Sequence, residues 1–124
     1  MNRRSLVLRA RLWLPPLLYM TAIYWFSAQS HPMPAITAYV WDKLLHTLEY
    51  GGLAVLFARA LAGEGLTAVS AILAATLLAS AYGATDEYHQ RFVPDRSSDA
   101  ADWVADTIGA ALCAVAYTAN PRKL

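Results

Sequence analysis

Three stretches without a charged side chain constrain this chain more than any other feature. No Asp, Glu, Lys or Arg occurs from Leu12 to Trp41, a gap of 30 residues; Gly65 to Thr85 covers 21, and Thr107 to Pro121 covers 15. A hydrocarbon core about 30 Å thick is crossed by roughly 20 mostly apolar residues in a helix. Over the 124 residues 57% are hydrophobic and only 15% charged, where average soluble domains carry roughly 25% charged residues. The expectation is a small integral membrane protein, a single domain over 1–124.

The pattern predicts an all-α bundle of four transmembrane helices, with spans at about 12–28, 42–62, 66–88 and 100–118. Pro15 and Pro16 predict that the first helix either begins near Pro15 or bends there. Ser30, His31, Pro32 and Pro34 read as the first outer loop, Gly63 and Gly65 close the second helix, and Pro94-Asp95 makes a turn. Ser98 or Asp99 caps the fourth helix. Arg3, Arg4, Arg9 and Arg11 before an apolar run resemble a signal peptide, but the run is long and Phe26 sits where cleavage needs a small residue, so it reads as a retained span. With four spans one side holds seven Lys and Arg residues (Arg3, Arg4, Arg9, Arg11, Arg59, Arg122, Lys123) and the other three (Lys43, Arg91, Arg96). The positive-inside rule puts both termini in the cytoplasm. The alternative has three spans, with the last segment lying in the interface.

Charge and motifs exclude several classes. A net charge of +1 gives no field for a polyphosphate, so no nucleic-acid partner is expected. Cys113 is the lone cysteine and has no intrachain disulfide partner. No glycine-rich phosphate loop, Cys pair, low-complexity tract or internal repeat occurs, and no cofactor is assigned.

Eight of the nine acids gather at one expected end of the bundle, Glu64 being the exception. Asp42, His46 and Glu49 fall at i, i+4 and i+7 on one helix face. Tyr82, Asp86 and His89 repeat that spacing, with Gly83, Glu87 and Gln90 on the adjoining stripe. Asp99, Asp102 and Asp106 follow i, i+3 and i+7. Because polar groups are costly against lipid, the three stripes should face one another at the outward mouth. Glu49 and Asp106 lie about 10 Å inside their helix starts at 1.5 Å per residue, where a short carboxylate cannot snorkel; both read as functional or tightly paired.

Plainer roles stand beside these. Asp42 and Asp99 read as helix caps. His46 with Glu49, and His89 with Asp86, resemble the carboxylate–His pairs of metal-binding bundles. The pairs are short and run in opposite order, so no metal is assigned, and acid–base work suits the cluster better. Arg91 and Arg96 suit a phosphate or carboxylate, or else pair with Glu87 and Asp99. Tyr24, Trp25, Trp41 and Trp103 read as interface anchors, and Gly109, Ala110 and Cys113 as a face for close helix packing.

Phe26-Ser27-Ala28-Gln29-Ser30, the run Asp42-Lys43-Leu44-Leu45-His46-Thr47-Leu48-Glu49-Tyr50, and the run from Tyr82 through Asp86-Glu87, Gln90-Arg91-Phe92-Val93-Pro94 and Asp95-Arg96 resemble the VanZ-like family. So does Asp102 followed by Gly109-Ala110. The likeness covers about Phe26 to Cys113. Asp95 and Cys113 stand where the family commonly has Gly, and Asp106 where it commonly has Asn. The resemblance implies a small bacterial multi-pass protein of the cytoplasmic membrane; the founding member is linked to low-level teicoplanin resistance. It carries over Asp42, Lys43, His46, Glu49, Asp86, Glu87, Gln90, Arg96 and Asp102, and it supplies no settled reaction.

Two functions follow. In the first, the mouth binds or chemically modifies a lipid-linked or lipidated envelope molecule, with a lipoglycopeptide among the ligands and the bilayer as surroundings. His46, Glu49 and Glu87 are then the catalytic candidates, and Asp42, Lys43, Asp86, Gln90, Arg96, Asp102 and Asp106 the binding ones. In the second, the protein is not an enzyme, the cluster holds the helices together, and the outer loops bind a partner. A proton or ion pathway is weaker, because the inner half shows no relay.

Overall fold

The computed structural model describes the backbone of residues 2–29, 35–96 and 98–120, and the side chains of these outside 35–42. Among the described residues four helices follow one another: α1 (Arg3–Ser27), α2 (Ala35–Gly63), α3 (Ala68–Gln90) and α4 (Ala100–Thr118). Among the described residues there is no strand. The expected loop residues Ser30, His31, Pro32 and Pro34, and the basic pair Arg122 and Lys123, lie outside this description.

Two boundaries correct the sequence reading. The first helix does not begin near Pro15. It starts at Arg3, where the Asn2 side chain caps the Ser5 N–H, and continues through Pro15 and Pro16. Pro15 has no N–H to give the Arg11 carbonyl one turn back. That carbonyl instead accepts from Arg59 Nη1 of α2 at 3.3 Å, so a neighbouring helix replaces the lost rung. The second helix starts at Ala35, two turns before Asp42. Asp42 is therefore interior to α2 and is not its cap; its side chain lies outside the described residues. The other two starts agree with their local chemistry. Thr67 caps α3 through Ser70, and Asp99 caps α4 by accepting the Ala101 N–H.

Helix α2 packs most extensively on α4, and α3 closes against both; α1 lies mainly against α2. The core where they meet is small-residue packing: Ala54, Ala58, Ala75, Ala79, Ala110 and Ala114 are all fully buried, beside Leu53, Phe57 and Ile23. Small side chains let backbones approach closely. At Gly109 a Cβ would run into the backbone carbonyl of Thr47, so this contact between α4 and α2 requires glycine.

The large apolar side chains point the other way. Leu18, Leu48, Leu73, Leu77 and Leu112 are each at least 60% exposed, while His46, Asp86, Glu87, Gln90, Asp102 and Asp106 are buried. Among the described residues two helices, α1 and α3, are long and apolar enough to cross a membrane, yet only 17% and 22% of their apolar windows are buried. A water-soluble bundle shows the reverse distribution.

Candidate functional site

Side-chain contacts bring the ends of α1 and α3, the start of α4 and the first half of α2 together. The Gln90 amide at the end of α3 donates to Ser27 Oγ at the end of α1, at 3.2 Å. Lys43 in the first half of α2 reaches the start of α4, where its ammonium pairs with Asp99 at 3.0 Å and with Asp102. Glu87 on α3 accepts the Asp99 backbone N–H at 2.9 Å. Asp99 thus caps its own helix while joining two others. The Ala101 N–H, then the Lys43 ammonium, hold its carboxyl below the usual aspartate range.

One turn deeper the contacts become fully buried. His46 Nδ1 lies 2.8 Å from Asp106 Oδ1, joining α2 to α4. Tyr50, with no exposed surface, donates its hydroxyl to Asp86 Oδ2 at 3.0 Å, joining α2 to α3. Its ring lies nearly parallel to the His46 imidazole, at 6.2 Å and 7°. Gly83 of α3 faces this layer. A Cβ there would sit 2.9 Å from Asp106 Oδ2 and 3.4 Å from Tyr50 Cε1, so the missing side chain makes the room that Asp106 occupies. Two carboxylate oxygens of the layer, Glu87 Oε1 and Asp106 Oδ2, are buried without a hydrogen-bond partner. The ligand atoms of His46, Glu87 and Asp106 all lie within 4.8 Å of one another.

Beside this layer opens a cavity of about 280 Å³, lined by Phe26, Ser27, Leu45, His46, Glu49, Asp86, Gln90 and Arg96. Phe26 and Leu45 contribute apolar side chains to its lining, and the other six contribute polar ones. Glu49 is half-buried and borders this cavity.

The structure therefore gathers His46, Glu49, Asp86, Gln90 and Arg96 around one cavity, with Glu87 and Asp106 behind His46 and with Lys43 and Asp102 paired above. Their partners differ from those the intrahelical spacing implied. His46 pairs across the bundle with Asp106 rather than with Glu49, and Asp86 takes Tyr50 rather than His89. His89 instead stacks on Tyr24, centroids 4.6 Å apart. Arg96 lines the cavity, whereas exposed Arg91 lies over the Tyr88 ring at 5.8 Å. Trp103 reaches back to the Ser80 carbonyl at 3.0 Å. Sequence reasoning missed Tyr50 as part of the site. The signal was present, since Tyr50 follows His46 by four residues and must share its face. Glu64 stands at the opposite end, where Arg9 at 3.2 Å and Trp13 Nε1 at 3.1 Å hold it.

A family model described as VanZ/LLP1 matches residues 5–120. The chain belongs to the VanZ/LLP1 family. Comparison with curated proteins and with solved structures gave no match. Asp95 has φ of +62°, a left-handed conformation that glycine adopts freely and Asp tolerates. The glycine common at this position of VanZ-like sequences thus has a backbone reason, and Asp95 satisfies it at a small cost.

Proposed function

We propose that this VanZ/LLP1-family protein spans the bacterial cytoplasmic membrane four times, with both termini inside, and receives the head group of a lipid-linked or lipidated envelope molecule in the cavity at its outer mouth. The observation that carries this reading is the cavity itself, where six polar side chains meet the apolar Phe26 and Leu45. At about 280 Å³ it falls at the small end of ligand pockets, which run roughly 300–1,000 Å³. It suits a head group rather than a whole lipid, with the acyl or prenyl part left among the exposed leucines. Arg96 presents a planar fork for a phosphate or carboxylate. Glu49 faces the cavity as the acid–base group, His46 shares its wall, and Glu87 stands behind them. The exposed leucines and buried acids support a bilayer setting, and the seven-to-three split of Lys and Arg supports the orientation.

Binding tests the reading directly. The purified protein in detergent should bind a polyprenyl phosphate or teicoplanin, and Arg96→Gln should weaken that binding at least tenfold, or about 1.4 kcal/mol. Failure of both probes to bind, or equal binding by Arg96→Gln, would sink the pocket reading. Reporter fusions after Asn120 and at Ser98 test the topology, with an active periplasm-type reporter expected at Ser98 alone.

A second reading rests on the His46–Asp106, Tyr50–Asp86 and Lys43–Asp102 contacts, which together bind α2, α3 and α4. In it the cluster is a structural lock and the outer loops bind a partner.

A further inference from the structure

Each of α2, α3 and α4 sends one side chain capable of binding a metal to the same buried point. His46, Glu87 and Asp106 are 3%, 6% and 0% exposed, and their ligand atoms lie within 4.8 Å of one another. Both carboxylates have a second oxygen there that nothing satisfies: Glu87 Oε1 and Asp106 Oδ2 are buried and without a hydrogen-bond partner. A buried acceptor without a partner is destabilising, and more so when charged. Two such oxygens, on carboxylates from two helices that cluster with His46, mark a place suited to a positive charge.

The surrounding charge leads to the same place. Asp86 and Asp102 act electrostatically on Asp106, and Asp106 on Glu49; of the nearby cations, the Lys43 ammonium is engaged by Asp99 and Asp102, and Arg96 lies across the cavity lining beside Glu49. Gly83 leaves the room that the Asp106 carboxylate occupies, since a Cβ there would come within 2.9 Å of Oδ2.

We propose that His46, Glu87 and Asp106 form a binding site for one divalent transition-metal ion, with zinc as the first candidate. An imidazole nitrogen with two carboxylate oxygens is a mixed donor set suited to zinc or manganese rather than to magnesium, which prefers oxygen alone. Ligands on a tetrahedral ion at about 2.0–2.1 Å stand roughly 3.4 Å apart, so three groups already within 4.8 Å close on an ion by side-chain rotation. Three protein ligands leave a fourth position, and His46 is shared with the cavity wall. The ion would thus sit behind the cavity lining, leaving Glu49 as the proton-handling group that faces it. This site does not depend on the ligand proposed for the cavity, because metal content is measured with no ligand present.

The test uses the full chain, purified in detergent, stripped with a chelator and incubated separately with Zn²⁺, Mn²⁺ or Mg²⁺. Metal retained after gel filtration is measured by mass spectrometry, alongside thermal unfolding. We expect about one Zn²⁺ per chain, weaker retention of Mn²⁺, none of Mg²⁺, and a higher Tm with Zn²⁺. His46→Gln and Asp106→Asn should each lower zinc affinity at least tenfold and abolish the Tm rise. Glu64→Gln, at the other end of the bundle, should change neither. Variants are compared only as monodisperse folded protein, and Glu87→Gln serves as the third ligand variant if one of the others does not fold. No zinc on the wild type, equal retention of Mg²⁺, or equal zinc on wild type and ligand variants would overturn the proposal. The first of these outcomes would mean that the two orphan oxygens carry protons instead of facing a cation.

Discussion

Between Lys43 and Tyr50, α2 turns a lysine, a histidine, a glutamate and a tyrosine toward its neighbours; between Leu53 and Ala60 the same helix buries Leu53, Ala54, Phe57, Ala58 and Ala60. Both stretches pack against α3 and α4. The second needs no polar atom to do so: facing alanines bring the backbones close, and the apolar contact suffices. The first uses at least three cross-helix polar contacts and still leaves two buried carboxylate oxygens unpaired. Holding helices together is thus a task this sequence already performs with alanine. The polar stretch carries more charge than that task requires, which supports a ligand there.

Five substitutions, one of them used only in a double mutant, break or sharpen the contrast, each read as a change in unfolding free energy in detergent. The largest effect is expected at Lys43. Lys43→Met leaves buried Asp102 without its cation and should cost about 3 kcal/mol, while adding Asp102→Leu should recover most of that loss, since replacing both partners of a buried pair is often neutral. In the alanine stretch the failure mode is volume, not charge. Ala75→Leu forces a large side chain into a fully buried position and should cost about 2 kcal/mol, with no double mutant of the polar end able to rescue it. Tyr50→Phe keeps the ring against His46 and removes one hydrogen bond, so a loss of about 1–2 kcal/mol is expected. The smallest change is Asp95→Gly, which relieves a left-handed residue at the edge of the polar end and should raise stability by about 0.5 kcal/mol. Ala75→Leu proving neutral, or Lys43→Met proving harmless, would erase the distinction between the two stretches.

The contrast was partly legible in the sequence. Of the residues at helical spacing, His46, Glu49, Asp86 and Gln90 line the cavity, because spacing fixes which side chains share a face. Spacing says nothing of the partner across the bundle. For that reason His46 read as a partner of Glu49, although the helix crossing delivers it to Asp106. Asp42 read as a cap because it is the first acid before the apolar run. The residues 35–41 ahead of it carry no breaker after Pro34, and the helix extends through them. Pro15 and Pro16 signalled a start or a bend, and no local rule could foresee that Arg59, from another helix, would take up the freed Arg11 carbonyl. Gly109 was legible as close packing, whereas Gly83 gained its meaning only once Asp106 was seen opposite it.

The central claim is that the polar end acts on a ligand rather than merely locking the bundle, and Glu49→Gln tests it most directly. Glu49 borders the cavity and is half-buried, so the amide keeps size and hydrogen bonding while removing the charge and proton chemistry. The measurement is teicoplanin-type susceptibility of cells carrying wild type or Glu49→Gln, with the amount of each protein in the membrane quantified. A functional cavity gives normal abundance and a lost phenotype. A phenotype that persists, or that falls only in proportion to abundance, contradicts the claim and leaves the cluster as a structural lock.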